Sequence, residues 1–306
     1  MIHTDKTFDI RFLDASRISA FSRCEALFLF KCLMGLRPQD ASDIKLDYGT
    51  CMHVVLPEMY SGNTSKAFEV FDDAWKRFPY GEEDDKRNST RARMSIDNFV
   101  RSHAPGQCPY EILHFPFSSP AELVSRNEIP FLIDVGLSYP LAGRIDAPVK
   151  WRATEKKWAY DFKTSSELSD RYFNSFWMSP QACVYTIALS QITQEPVDGL
   201  MIEGMRVSKS NVENQIGFVW VHDYHAKKFL EELRWLIVKM DEANRLKCWK
   251  QNFSLCSSYA SFGFPCGPCE YKMICDLPEW QDGARFFKQE KPFDPLEMKD
   301  ELKKTQ

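Results

Sequence analysis

The stretch GRIDAPVKWRATEKKWAYDFKTSS, residues 143–166, decides how the rest of the chain is read. Two runs rich in aromatic and aliphatic residues flank the polar RATEKK, so the stretch reads as a strand, a reversal and a second strand. Alternation along WAYDFKTS places Trp158, Tyr160, Phe162 and Thr164 on one face, with Ala159, Asp161 and Lys163 on the other. Asp146 closes the first strand, and a hairpin of this length brings it opposite Asp161. Two carboxylates at close quarters raise each other's pKa unless a cation joins them. Spacing alone leaves two readings. Lys163 is the partner in a structural ion pair, or the acids supply oxygens to a magnesium ion, which needs one or two carboxylates besides water and phosphate. In the second reading Lys163 orients or deprotonates a water, or meets the charge that builds on a phosphate, which suits phosphodiester hydrolysis.

Outward from that hairpin the texture differs on the two sides. Upstream, residues 16–36 read as a helix capped by Ser16 or Ser19, with Gly35 and Pro38 at its end. A second helix runs from about Tyr48 to Tyr60, where Pro57 kinks or ends it. Residues 66–103 are helical with an interruption near FPYGEEDD. The basic residues of 86–101 follow the acidic run 82–85, and read as a charge-laced solvated face or as a phosphate-contacting surface. Downstream of Ser125 the runs EIPFLID, 198–208 and 214–224 read as strands. Residues 171–193 read as a helix broken early by Pro180, and 225–249 as an amphipathic helix. The expected fold class is α/β: a core with a mixed central sheet flanked by helices, an N-terminal helical subdomain and a C-terminal cysteine-rich, metal-bound segment. The expected divisions are 1–124, 125–250 and 251–306, with a charged tail after about Asp276 that wraps the surface or frays.

With 306 residues, 44% hydrophobic and 27% charged, the composition is that of a globular chain. A net charge of −4 gives no bulk signal for nucleic acid or anionic membrane, although a local basic groove remains compatible with it. No apolar run approaches the roughly 18 residues of a membrane span, and the polar start is unlike a secretory leader. A cytoplasmic protein is expected. There is no Gly-x4-Gly-Lys-Ser/Thr loop, so any coupling to unwinding would come from a partner.

The 10 cysteines divide into two kinds. Cys32, Cys51, Cys108, Cys183 and Cys248 stand alone and read as small buried hydrophobes. FPCGPCEYKMIC instead groups Cys266, Cys269 and Cys275 as Cys-x2-Cys-x5-Cys with Pro and Gly at the turns, a metal-binding pattern open to zinc or to an iron–sulfur cluster. The fourth ligand is either Cys256 nearby or Cys24 far upstream.

An acid after GRI, followed by a strand ending DFKTS, resembles the PD-(D/E)XK nuclease superfamily, in particular its RecB-like branch. Three further segments match that branch in order. LDYGTCMHVVL resembles its Gly-x-x-x-His segment and contributes His53; SRNEIPF places Glu128 at an upstream acid; QACVY supplies Gln181 and Tyr185 at Gln-x-x-x-Tyr spacing. FSRCEALFLFKCLMGLRP is similar to the N-terminal segment of the iron–sulfur subgroup, which includes AddB-type subunits, CRISPR-associated RecB-like nucleases and phage exonucleases.

The resemblance implies a restriction-endonuclease-like core and a Mg2+- or Mn2+-dependent deoxyribonuclease, an exonuclease acting on duplex ends or single-stranded DNA. His53, Glu128, Asp146, Asp161 and the Phe162 carbonyl would bind the metal. Lys163 would activate water, Gln181 would steady the lysine or touch a phosphate, and Tyr185 would support it. Cys24, Cys266, Cys269 and Cys275 would hold a 4Fe–4S cluster that staples the chain, with Cys256 as a substitute ligand and zinc as the other occupant. DNA is the implied partner, with a recombination, repair or helicase protein as a second. The competing readings are a catalytically reduced subunit that binds DNA or assembles with such a partner, and a phosphodiesterase acting on RNA or nucleotides.

Overall fold

A computed structural model of the chain describes residues 1–39, 44–80, 84–104, 106–113, 128–256, 269–292 and 294–295. It has two compact units. One consists of Ser42–Pro130 and Arg144–His225, the other of Met1–Ala41, Phe131–Gly143 and Ala226–Gln306.

The first unit begins with three helices, α1 (Ile44–Tyr60), α2 (Thr64–Trp75) and α3 (Ser89–Ser102). Asn63 and Asn88 start the second and third. Each side-chain oxygen accepts a hydrogen bond from a backbone N–H three residues on, at 3.1 and 2.9 Å, so first-turn donors are satisfied. Pro57 lies inside the last turn of α1, where it removes the N–H that would reach the His53 carbonyl without ending the helix. The basic residues after the acidic run enter ion pairs, Arg87 with Asp84, Arg93 with Asp72 and Arg101 with Asp97.

Strands follow: β1 (Tyr110–Ile112), β2 (Ile129–Ile133), β3 (Leu141–Ile145), β4 (Ala147–Trp151) and β5 (Lys157–Ser165). Then come the short helix α4 (Asp170–Asn174), α5 (Pro180–Thr193), β6 (Gly199–Arg206) and β7 (Asn214–Trp220). β2 and β3 pair as a hairpin of their own, through which the chain passes from one unit to the other and back. The remaining five strands form a mixed sheet in the order β1-β4-β5-β6-β7. β5 and β6 are parallel, joined by the α5 crossover that parallel neighbours require, while β1/β4, β4/β5 and β6/β7 are antiparallel. This is the expected α/β architecture.

The alternation expected of β5 is what seats it. Trp158, Tyr160 and Phe162 are buried in one core with Tyr48, Met52 and Val55 of α1, Phe71 of α2 and Phe99 of α3. Burying each such side chain stabilises the unit by about 1.5–3 kcal/mol. The opposite face of β5 and β6 is covered by α5. Pro180 does not break a longer helix. It is the first residue of α5, after Ser179, whose hydroxyl accepts from Ala182 N at 3.2 Å.

In the other unit the helix expected over 16–36 is broken at Cys24, whose extended backbone (φ −166°, ψ 124°) separates Ala15–Arg23 from Glu25–Phe28 and a π-helical turn at Leu29–Leu33. The segment after Trp249 explains the break. Ala26 N donates to the Lys250 carbonyl at 3.0 Å, Lys250 N donates to Glu25 Oε2 at 2.8 Å, and Asn252 N donates to Cys24 Sγ at 3.4 Å. Backbone groups that lose helical partners gain these instead. Ile2–His3 pairs antiparallel with Cys248–Trp249. Residues beyond Asp276, expected to wrap the surface or fray, include helix Trp280–Ala284 and strand Phe287–Gln289, which pairs with Leu36–Pro38. Phe287 stacks on Tyr271 with ring centroids 5.5 Å apart, an anchor that composition does not reveal.

Candidate functional site

Asp161 and Lys163 leave β5 on the face away from the aromatic core. Asp161 is 2% exposed, and its two oxygens meet the Lys163 ammonium at 2.8 and 2.6 Å. Gln181, in the first turn of α5, donates from Nε2 to Asp161 Oδ1 at 2.8 Å. Tyr185 follows one turn later, half-buried. Asp146 occupies the single residue between β3 and β4. Because Ala147 pairs with Tyr160, Asp146 falls beside the next step of β5, where its Oδ2 accepts from Phe162 N at 2.7 Å.

α1 brings His53 to this end of the strand. Its Nδ1 lies 3.6 Å from Asp146 Oδ2, and its ring meets Phe162 edge-on at 5.5 Å. Gly49, one turn earlier, allows the approach, since a Cβ there would stand only 3.2 Å from Thr164 Oγ1. Glu128, just before β2, is 3.4 Å from Arg144 Nη1. One ligand atom each from His53, Glu128 and Asp146 lies within 4.8 Å of the others, so these three could hold a metal ion. Carboxylate oxygens with one imidazole suit a hard divalent cation, Mg2+ or Mn2+, rather than a thiophilic one.

Electrostatics favour filling that position with positive charge. Burial pushes the Asp161 pKa up; Lys163 opposes the shift and Asp146 adds to it. Burial works to lower the Lys163 pKa, but the charges of Asp161 and Asp146 outweigh it, so the ammonium is held above its ordinary range. In this arrangement the lysine donates to Asp161.

On the other face lies a polar network that the sequence reading did not anticipate. Glu203 pairs in register with Phe162 and is 1% exposed. It accepts from Tyr110 Oη at 2.6 Å and Tyr160 Oη at 2.9 Å, while His103 Nε2 stands 3.1 Å from its other oxygen. His103 Nδ1 is 2.8 Å from the Phe99 carbonyl, so both ring nitrogens have acceptors within reach, and Glu203 raises the pKa of the ring despite burial. Tyr60 of α1 joins through Tyr110 at 3.0 Å. Burial holds all three phenols protonated, as donors. The only signal in sequence is one glutamate inside the apolar run GLMIEGM.

Of the proposed cluster cysteines, Cys24 stands at the helix break, and Cys275 lies on the short helix Lys272–Asp276, its carbonyl accepting from Gln251 Nε2 at 3.2 Å. Burial pushes the Cys269 thiol up. Cys266 lies outside the described residues, as does the side chain of Cys256. Cys32, Cys51 and Cys183 are buried as expected, and Cys108 and Cys248 half-buried.

A model of the PD-(D/E)XK nuclease superfamily matches residues 13–276. The chain belongs to that superfamily. Within that range the sequence has an acid-x-Lys spacing at Asp161-Phe162-Lys163 and an acid at Asp146. Among solved structures, a protein described as "Putative exonuclease" from Eubacterium rectale is similar over 85% of this chain and 91% of its own, with a TM-score of 0.47 and 12% identity. No curated protein matches the chain. Among the described residues, no helix of this PD-(D/E)XK member is long and apolar enough to cross a membrane.

Proposed function

We propose that this chain is a Mg2+- or Mn2+-dependent deoxyribonuclease, an exonuclease acting on DNA ends or single strands. The observation that carries the reading is the convergence on Asp161. One rigid strand holds this acid between Lys163 and Gln181, while Asp146 is locked to the neighbouring residue's backbone. His53, Glu128, Asp146, Asp161 and the Phe162 carbonyl form the ligand set. An ion bound there supplies Lewis acidity towards a phosphoryl oxygen and a water of lowered pKa. Lys163 activates the attacking water, by orienting or deprotonating it, or faces the negative charge that develops on the phosphate. Gln181 keeps Asp161 Oδ1 aimed, and Tyr185 supports that turn of α5.

Cys24, Cys266, Cys269 and Cys275 hold a 4Fe–4S cluster in this reading, supported by the Cys-x2-Cys-x5-Cys spacing of the last three. The cluster closes a unit assembled from both ends of the chain. Coupling to unwinding or recombination would come from a separate protein.

The deciding experiment is cleavage of end-labelled single- and double-stranded DNA with Mg2+, Mn2+ or EDTA, alongside an Asp161→Asn protein. Metal-dependent shortening from an end, lost in the variant, is the expected result. DNA binding without cleavage in any metal would instead identify a non-catalytic subunit. Anaerobic absorption with metal analysis tests the cysteine site: about four irons per chain support the cluster, and stoichiometric zinc overturns it.

A further inference from the structure

Paired residues in a sheet point to the same face. Lys163 pairs with Gly204, and Asp161 pairs with Ile202, which pairs in turn with Gly217. The face from which Asp161 and Lys163 emerge therefore lacks side chains at two nearby positions. The chain that follows β5 folds into this bare patch. A Cβ at Gly204 would come within 2.3 Å of Leu168 Cδ2, and one at Gly217 within 2.2 Å of Phe173 Cδ1. Such separations are impossible for real atoms, so Leu168 and Phe173 are knobs seated in glycine sockets.

The seating makes the segment rigid. Ser169 caps α4 by accepting from Tyr172 N at 3.3 Å, and Phe173 is buried. Met178, which ends the segment, holds φ at +56°, a left-handed backbone that a non-glycine residue adopts only when its surroundings impose it. What this frame presents outward is aromatic. Tyr172 meets Phe176 edge-on at 5.4 Å, and Trp177 is 63% exposed, 6.4 Å from the ring of His225. At the near end, the Tyr172 phenol lies close enough to Lys163 and Asp161 to feel both charges.

An exposed indole and a half-buried phenol, held beside the proposed phosphodiester-cleaving centre, call for a flat, polarisable partner continuous with the phosphate at Lys163. Unpaired nucleobases have that character, whereas bases within a duplex are already stacked on one another. We propose that Trp177 and Tyr172, presented by the glycine-seated segment 168–177, form a stacking shelf for the unpaired bases of a single-stranded polynucleotide whose backbone reaches Lys163. The inference rests on the nuclease reading and adds the surface and strandedness of its substrate.

Binding of the full-length protein to fluorescent 20-mers is measured by anisotropy in EDTA, so that no strand is cut. The probes are oligo-dT, an abasic strand of equal charge and a blunt duplex. Wild type should prefer oligo-dT over the abasic strand by roughly tenfold or more, Trp177→Ala should abolish that preference, and Trp177→Phe should restore it. Equal affinity of wild type for dT and abasic strands, a preference for the duplex, or an unchanged preference in Trp177→Ala would overturn the shelf. Failure of the nuclease reading shows separately, as no cleavage by the unaltered protein in Mn2+.

Discussion

The backbone N–H of Phe162 donates to Asp146 Oδ2 at 2.7 Å, and this one bond ties the turn acid to the strand that bears Asp161 and Lys163. One acid thus comes from a turn and the other from a strand, but they cannot drift apart without disturbing the β4/β5 pairing inside a five-stranded sheet. Preorganisation of this kind is what a charge-stabilising centre needs.

Asp161→Asn keeps the shape of the side chain and removes its charge. Cleavage of labelled DNA in Mn2+ should fall by at least about 10²–10³-fold, with an unchanged circular dichroism spectrum. A variant that retains activity within a fewfold of wild type would remove Asp161 from the ligand set.

Gln181 touches Asp161 and is proposed to act by aiming it. Gln181→Ala should lower the Mn2+-dependent rate by roughly 10–100-fold and raise the Mn2+ concentration needed for half-maximal rate. A loss of rate with no change in metal requirement would place Gln181 on the phosphate instead.

Gly49 gives α1 its close approach to Thr164. Gly49→Val should cost about 1–3 kcal/mol of stability in urea denaturation by forcing the helix outward. It should also weaken metal binding by moving His53. Wild-type stability and metal affinity together would show that α1 has slack at this contact.

His103 sets a pH dependence on stability. Burial lowers its pKa, but the hydrogen bond and charge of Glu203 outweigh burial, so the folded value lies above the ordinary 6.5. A raised folded pKa contributes stability that is complete below about pH 6.5 and is lost as pH rises through the folded value. Urea midpoints should therefore decline from slightly acid to alkaline pH in wild type. His103→Gln should be less stable at low pH and flatter across that range.

Much of the site was legible because a strand has a period of two. Asp161 and Lys163 had to share a face of β5, and the aromatic residues between and around them had to share the other. Gln181 and Tyr185 were singled out by the resemblance alone, and Ser179-Pro180, which reads in sequence as a break within a helix, begins the helix that carries them. His53 and Glu128 lie far from the hairpin in sequence, and only the resemblance singled them out; no local pattern predicts which side of a helix will meet which strand. The Glu203–His103–Tyr110 network was invisible for the same reason. Its members sit on β6, α3 and β1, and each looks ordinary where it stands. The break at Cys24 was equally hidden, since its cause is hydrogen bonding with residues more than 200 positions away.

The discontinuous unit also imposes an order on biosynthesis. Ile2 and His3 pair with Trp249 and Cys248, and Leu36–Pro38 with Phe287–Gln289. On the ribosome these strands must wait, unpaired, until their partners more than 200 residues later have emerged. The unit bearing Asp146, Asp161 and Lys163 is complete once His225 has left the exit tunnel. Domains fold as units during synthesis, so the centre for cutting is expected to form first, and the unit built from both ends of the chain last.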